Sequence, residues 1–113
     1  LLLMQLGHQE QRISFRARQV DILITEENGE PLAVIEVKRT LDSDRDQARR
    51  QGFDYANGTG ARFVVLSDSD LYEIYDQDKG GRDYDSKFCG KFRLTRFSPE
   101  DGAILNILRA GLR

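Results

Sequence analysis

The sequence has few residues of the kinds that define several protein classes. It contains one cysteine, one histidine, two prolines and no tryptophan among 113 residues. A single cysteine cannot form an internal disulfide, which excludes a disulfide scaffold, and one cysteine with one histidine argues against a zinc site. The longest apolar runs, such as Phe63–Leu66, are much shorter than the ~20 residues of a membrane span. These absences exclude an integral membrane protein with helical spans.

The charge of the chain is close to balanced. It has 17 Lys and Arg against 19 Asp and Glu, for a net charge of -2. Proteins that bind nucleic acid through a basic tail carry a large excess of Lys and Arg, so any contact with DNA is expected through a local surface. The first residues have neither the basic start nor the small-residue cleavage site of a signal peptide, and we expect a cytoplasmic protein.

The length fits one domain over residues 1–113. The chain begins at Leu1, and the pattern of residues 1–7 is typical of the last turns of a helix that ends at a glycine. We therefore expect the sequence to be part of a longer chain, with its first helix truncated. A natural terminus whose leading residues have been removed is the alternative.

Hydrophobic patterning predicts alternating strands and helices. The predicted elements are strands at 13–18, 20–25, 32–37, 63–67 and 71–75, a helix from 42 or 43 to 57, an exposed loop over 76–87, one or two edge strands within 88–97, and a helix that starts at Ser98. Both faces of the central hairpin are apolar near its turn, so the sheet needs cover on both sides. The predicted fold class is α/β, a mixed β-sheet core flanked by helices on both faces.

The sequence Asn28-Gly29 between two strand-like runs is a strong hairpin signal, because both central residues of a type I′ turn need positive φ. If these two residues form the loop, Thr25 pairs with Leu32 and Asp21 pairs with Glu36. Directly opposed residues share one face of a sheet, so the two carboxylates are expected to converge.

Lys38 lies two residues beyond Glu36 and therefore falls on the same face as both acids. Two opposed carboxylates destabilise a strand pair unless a positive charge neutralises them, and Mg²⁺ or Mn²⁺ suits carboxylate oxygens. Asp21, Glu36 and Lys38 thus predict a one- or two-metal phosphodiesterase site. The alternative is a surface ion-pair cluster, which the apolar neighbours in an otherwise central strand disfavour.

The sequence around this hairpin resembles a known family. Val20-Asp21 with residues 35–39 looks like the core motif of the PD-(D/E)XK nuclease superfamily. The fuller string VDILITEENGEPLAVIEVKRT is similar to the N-terminal nuclease domain of the restriction (R) subunit of type I restriction-modification enzymes. Residues 51–56, QGFDYA, fit the QxxxY motif on the helix that follows, and residues 60–68 resemble the next strand. The resemblance covers roughly residues 1–76.

The resemblance implies a restriction-endonuclease-like fold and Mg²⁺-dependent hydrolysis of DNA phosphodiester bonds. The residue roles that it implies are catalysis by Asp21, Glu36 and Lys38, metal binding by Asp21, Glu36 and the Val37 carbonyl, and DNA binding or site lining by Gln51, Tyr55 and Arg39. For the helix residues the alternative is packing of Tyr55 against the sheet with Gln51 in solvent.

The partner implied by the resemblance is double-stranded DNA, with motor, modification and specificity subunits in a parent complex. The sequence contains no G-x-x-x-x-G-K-[S/T] motif, so ATP is expected to act only in a motor domain outside this chain. Arginines 12, 16, 18, 45, 49 and 50 could form a local DNA surface, or ordinary solvated faces balanced by nearby acids. The alternative functions are a stand-alone resolvase or repair nuclease, and a binding module that does not cut.

Overall fold

Six strands form one sheet, in which the spatial order follows the order along the chain. The computed structural model describes residues 13–15, 21–68, 70–99 and 101–102. The strands are β1 (Ile13–Phe15), β2 (Asp21–Thr25), β3 (Pro31–Val37), β4 (Phe63–Ser67), β5 (Leu71–Asp76) and β6 (Phe88–Arg93). Neighbouring strands are antiparallel except β3 and β4, which are parallel because helix α1 (Leu41–Thr59) crosses between them.

Apolar side chains are buried on both faces of this sheet. On one face, α1 packs over β3, β4 and β5 through a cluster that includes Val34, Ala48, Phe53, Val64 and Leu66. On the other face lies a second buried cluster, which includes Ile24, Ala33, Ile35, Val65 and Ile74. The predicted α/β fold with a mixed sheet is confirmed. The helix end predicted at residues 1–6 lies outside the described residues.

The turn between β2 and β3 differs from the prediction. The carbonyl of Glu26 accepts a hydrogen bond from Gly29 N–H at 2.9 Å, and Glu26 N–H donates to the carbonyl of Glu30 at 2.8 Å. Gly29 has φ +86°, the left-handed conformation that glycine adopts without strain. The loop therefore has three residues and ends on this glycine, whereas the sequence predicted a two-residue loop.

A β-bulge at Leu32 removes the one-residue offset that the longer loop creates. Thr25 pairs with Pro31 and not with Leu32 as predicted, but from the next residue inward the pairing follows the prediction, up to Asp21 opposite Glu36. The bulge also places Leu32 in the cluster on the sheet face away from α1, the same face as its neighbour Ala33.

The other elements differ from the predictions at their ends. Helix α1 continues past Gly58 and ends at Gly60, whose φ is +83° and whose N–H donates to the Ala56 carbonyl at 2.8 Å. The predicted loop over 76–87 contains a short helix, α2 (Tyr84–Lys87). Strand β6 is followed by a 3₁₀ helix, Leu94–Arg96. Within the described part of the chain, no helix is long and apolar enough to cross a membrane.

Helix α1 lies close to the sheet at Gly52. A Cβ atom on this residue would lie 3.0 Å from Val64 Cγ1, 3.6 Å from Glu36 Cβ and 3.6 Å from Leu66 Cδ2. Because glycine has no side chain, the helix backbone can rest directly on β3 and β4. This contact fixes the height of α1 above the strand that carries Glu36.

Replacing Gly52 with valine is expected to lower the free energy of unfolding by about 2 kcal/mol, because the added carbons collide with Val64 in a packed core. The matched control is Gly58→Ala in the same helix, where a Cβ meets no atom within 4 Å. That control is expected to raise the free energy of unfolding by about 0.5 kcal/mol through helix propensity. Urea unfolding followed by circular dichroism measures both changes. Equal changes in the free energy of unfolding in the two variants would contradict the close packing of α1 at Gly52.

Candidate active site

Glu36 and Lys38 lie close together at the carboxyl end of β3. Glu36 is 1% exposed, and its Cβ lies on the sheet face that α1 covers. Lys38 Nζ lies 3.3 Å from Glu36 Oε1, and the lysine side chain is 18% exposed. Burial of a carboxylate is costly unless a cation is close, and Lys38 provides that cation.

Gln51 connects this ion pair to helix α1. Lys38 Nζ donates a hydrogen bond to Gln51 Oε1 at 2.5 Å. The backbone N–H of Lys38 donates to the carbonyl of Ser67 at 2.9 Å, which extends the pairing of β3 with β4 by one residue. The lysine is therefore held by the sheet through its backbone and by the helix through its side chain. The structure brings Glu36, Lys38 and Gln51 into one cluster.

The other predicted site residues lie around this cluster. Asp21 is the first residue of β2, and its backbone pairs directly with that of Glu36. Val37 is the last residue of β3 and packs against the cluster on the far face of the sheet. Tyr55 lies one turn after Gln51, is partly buried and packs against the apolar cluster beneath α1. Arg39 is exposed in the segment before α1.

The available ligands suit a hard divalent cation better than a transition metal. Among the side chains that the structure describes, no three His, Cys, Asp or Glu residues lie close enough together to hold a metal ion. The strand register brings two acidic positions together, 21 and 36, and Mg²⁺ is commonly held by one or two carboxylates with water and substrate oxygens. Cys89 packs against the cluster on the opposite sheet face, so it cannot add a thiolate here.

A second polar network lies on the other flank of α1, where the sequence predicted none. Arg45 Nε lies 3.1 Å from both carboxylate oxygens of Glu73, and Arg45 Nη2 lies 2.9 Å from Glu73 Oε2. The Tyr75 hydroxyl donates to Glu73 Oε1 at 3.3 Å and accepts from Arg49 Nε at 3.1 Å. The hydrogen bond with Glu73 raises the pKa of Arg45, and burial raises the pKa of Tyr75, which therefore stays protonated at neutral pH.

This network separates the three arginines of α1, 45, 49 and 50, for which a DNA surface and ordinary solvated faces were the two alternatives. Arg45 and Arg49 bond to β5, whereas Arg50 is exposed. The sequence does contain a signal for the network, because Glu73 lies between Leu71 and Tyr75 on the inward face of β5. An acid among inward apolar positions requires a buried partner.

The register places the two buried acids in one row across the sheet. Leu66 on β4 pairs with Glu36 on one side and with Glu73 on the other, and Lys91 on β6 follows Glu73. At ~4.8 Å per strand, the backbones of Glu36 and Glu73 are about 10 Å apart. Helix α1 passes over Leu66, which lies between the two acids. One flank of the helix therefore covers Glu36 and its partner Lys38, and the other flank covers Glu73 and its partner Arg45.

Fold and cluster together define a mixed α/β domain with a charged cluster at the carboxyl end of a parallel strand pair. Comparison with known families then identifies the chain, which belongs to the family described as type I restriction enzyme R protein N terminus, matched over residues 4–87. That range includes all of the predicted site residues. No match was found among curated proteins or among solved structures.

Asp68 connects the start of α1 to the loop between β4 and β5. Its carboxylate accepts hydrogen bonds from the backbone N–H groups of Leu41 at 3.3 Å, Asp70 at 3.2 Å and Leu71 at 2.9 Å. Burial alone would raise the pKa of Asp68, but these three hydrogen bonds together outweigh burial and lower it from 3.8.

Because the pKa of Asp68 is lower in the folded state than in the unfolded chain, ionised Asp68 stabilises the fold at pH values above its unfolded pKa. This stabilisation is lost as the pH falls below about 4. The variant Asp68→Asn is therefore expected to be less stable at neutral pH and to lose less stability on acidification than the wild type. Urea unfolding across the acidic range measures this. The control is Asp54→Asn, an exposed change in α1, whose free energy of unfolding should depend on pH as that of the wild type does. If Asp68→Asn also showed the wild-type pH dependence, the stabilising role of these hydrogen bonds would be contradicted.

Proposed function

We propose that this chain is the cleavage module of a type I restriction enzyme R subunit, an endonuclease domain of the PD-(D/E)XK superfamily that hydrolyses DNA phosphodiester bonds with Mg²⁺. The observation that carries the proposal is the register of Asp21 opposite Glu36, with Lys38 Nζ 3.3 Å from the Glu36 carboxylate, inside the region that matches the family.

The proposed metal ligands are the carboxylates of Asp21 and Glu36 and the main-chain carbonyl of Val37. These are all oxygen donors, which suits Mg²⁺, and Mn²⁺ could replace it. When bound, the ion would act as a Lewis acid on a phosphate oxygen and lower the pKa of a coordinated water.

Lys38 is proposed to act directly on the reacting groups. An ammonium group has three N–H donors; one bonds to Gln51, and the Glu36 carboxylate lies at ion-pair distance. A further donor can bond to the attacking water or to a phosphate oxygen that gains negative charge. Gln51 restricts the rotamers of Lys38, so the ammonium is positioned before substrate binds.

The proposed substrate is double-stranded DNA. Arg39 is exposed beside Lys38 and is proposed to contact the DNA backbone, together with Tyr55. In the parent enzyme, cleavage would be coupled to motor, modification and specificity subunits, with ATP consumed by the motor.

Asp21→Ala, Glu36→Ala and Lys38→Ala are each expected to reduce Mg²⁺-dependent nicking of supercoiled plasmid by at least about 100-fold, because each removes a charge that acts in the transition state. The control is Glu27→Ala at the exposed tip of the hairpin, which should cut like the wild type. Circular dichroism shows whether each variant is folded. Undiminished cutting by all three folded variants would exclude this site.

Calorimetric titration with Mg²⁺ or Mn²⁺ separates a nuclease from a binding module. We expect saturable binding to the wild type and its loss in Glu36→Gln, since the amide removes a ligand charge. Lys38→Ala should retain the metal while losing cleavage, because Lys38 is not a ligand. If the folded wild type bound DNA but no metal ion, a non-cleaving binding module would be favoured instead. If it preferred branched DNA to linear DNA, a resolvase or repair nuclease would be favoured.

A further inference from the structure

A cleft of about 480 Å³ lies on the flank of α1 opposite to the candidate active site. Its walls come from α1, β5, α2 and β6, and its charged lining residues are Arg45, Arg49, Glu73, Asp85 and Lys91. The lining thus contains three cations and two carboxylates. None of these residues has a role in the proposed hydrolysis.

Arg49 carries a positive charge that the acids of this cleft neutralise only weakly. Glu73 is buried and neutralises Arg45 through a bidentate contact, so that pair leaves little net charge. Arg49 Nε instead donates to a tyrosine hydroxyl, which is uncharged. The carboxylate that pairs with Arg49, Asp85, is 3.7 Å away and 86% exposed, and such a solvated pair is weak.

Arg49 is also held in place before any ligand arrives. Its guanidinium carbon lies 5.7 Å from the ring centre of Tyr75 and 5.9 Å from that of Tyr84. With Nε bonded to Tyr75, the terminal nitrogens remain as a planar pair of donors, which is the geometry that phosphate oxygens accept. A restrained side chain loses little conformational entropy on binding.

Lys91 provides a second cation at the mouth of the cleft. It lies on edge strand β6 opposite Glu73, and its side chain is exposed. A fixed guanidinium and a mobile ammonium on adjacent walls form a combination that suits an anion with several oxygen atoms.

We propose that this cleft binds a phosphate group, held by the guanidinium of Arg49 and the ammonium of Lys91. The ion pair of Arg45 with Glu73 forms the fixed wall behind it. The same phosphate chemistry occurs in a free nucleotide and in the backbone of a nucleic acid, and the experiment below distinguishes these two sources. The site is separate from Asp21 and Glu36, so it does not depend on the proposed hydrolysis.

The test uses the side-chain Nε–Hε resonances of arginine in the full chain, recorded by NMR during titration with inorganic phosphate at constant ionic strength. The Arg49 resonance is expected to shift saturably. The Arg62 resonance, from an arginine bonded to Asp76 outside the cleft, should stay in place. A shift of Arg49 that does not saturate, or that chloride reproduces, would overturn the proposal.

Two variants assign the binding to the proposed groups. Lys91→Ala should raise the dissociation constant of phosphate about threefold. Arg49→Lys keeps the charge but removes the planar donor pair, and should raise it about tenfold. Arg50→Ala, an exposed change in the same helix, is the control and should bind like the wild type. Wild-type affinity in folded Lys91→Ala would overturn the assignment, even if Arg49→Lys fails to fold.

Titration with adenosine monophosphate and with a short DNA duplex, both without Mg²⁺, identifies the source of the phosphate. Tighter binding of the duplex, weakened by Lys91→Ala, assigns the cleft to nucleic acid, whereas tighter binding of the nucleotide assigns it to a free phosphomonoester. Glu36→Gln should lose Mg²⁺ binding and leave the phosphate titration unchanged. Loss of phosphate binding in that folded variant would place the anion at the active site and overturn this proposal.

Discussion

The contact between the backbone of α1 and the parallel strands at Gly52 determines the positions of the polar groups on both flanks of the helix. From this one point, Gln51 reaches Lys38 on the side of β3, while Arg45 reaches Glu73 on the side of β5. Hydrogen bonds weaken steeply when their donors and acceptors separate. A side chain at position 52 would move α1 away from β3 and β4. The contacts on both flanks would then weaken together, because one rigid helix carries both.

Two buried acids in one row of the sheet have different partners, and the partners give them different uses. Glu73 is matched by a guanidinium whose planar donors bind both carboxylate oxygens, so this pair is fully occupied and holds the helix to β5. Glu36 is matched by an ammonium that is partly exposed and has more donors than its two neighbours use. The first pair is suited to structure, and the second has the unused donor that the proposed hydrolysis requires.

Much of this arrangement follows from local sequence, and the remainder depends on tertiary contacts. Strand alternation and the Asn-Gly turn predicted Asp21 opposite Glu36 because pairing in a hairpin is local. The loop length and the bulge at Leu32 were both missed, and their offsets cancel. The pairing of Arg45 with Glu73 could not be predicted, because it depends on the rotation of α1 about its axis, which packing at Gly52 decides. The proximity of Gln51 to the site was implied by the family motif.

The parallel pairing of β3 and β4 has a consequence for the order of folding. The hairpin that opposes Asp21 and Glu36 joins neighbouring segments, whereas the hydrogen bond from the backbone N–H of Lys38 to the carbonyl of Ser67 requires α1 to cross over and β4 to dock. Contacts that close longer loops form later, because the chain entropy that they cost is larger. During synthesis, the two acidic positions would thus be paired before the lysine is fixed, and a nascent chain would carry an incomplete cluster until β4 has left the ribosome.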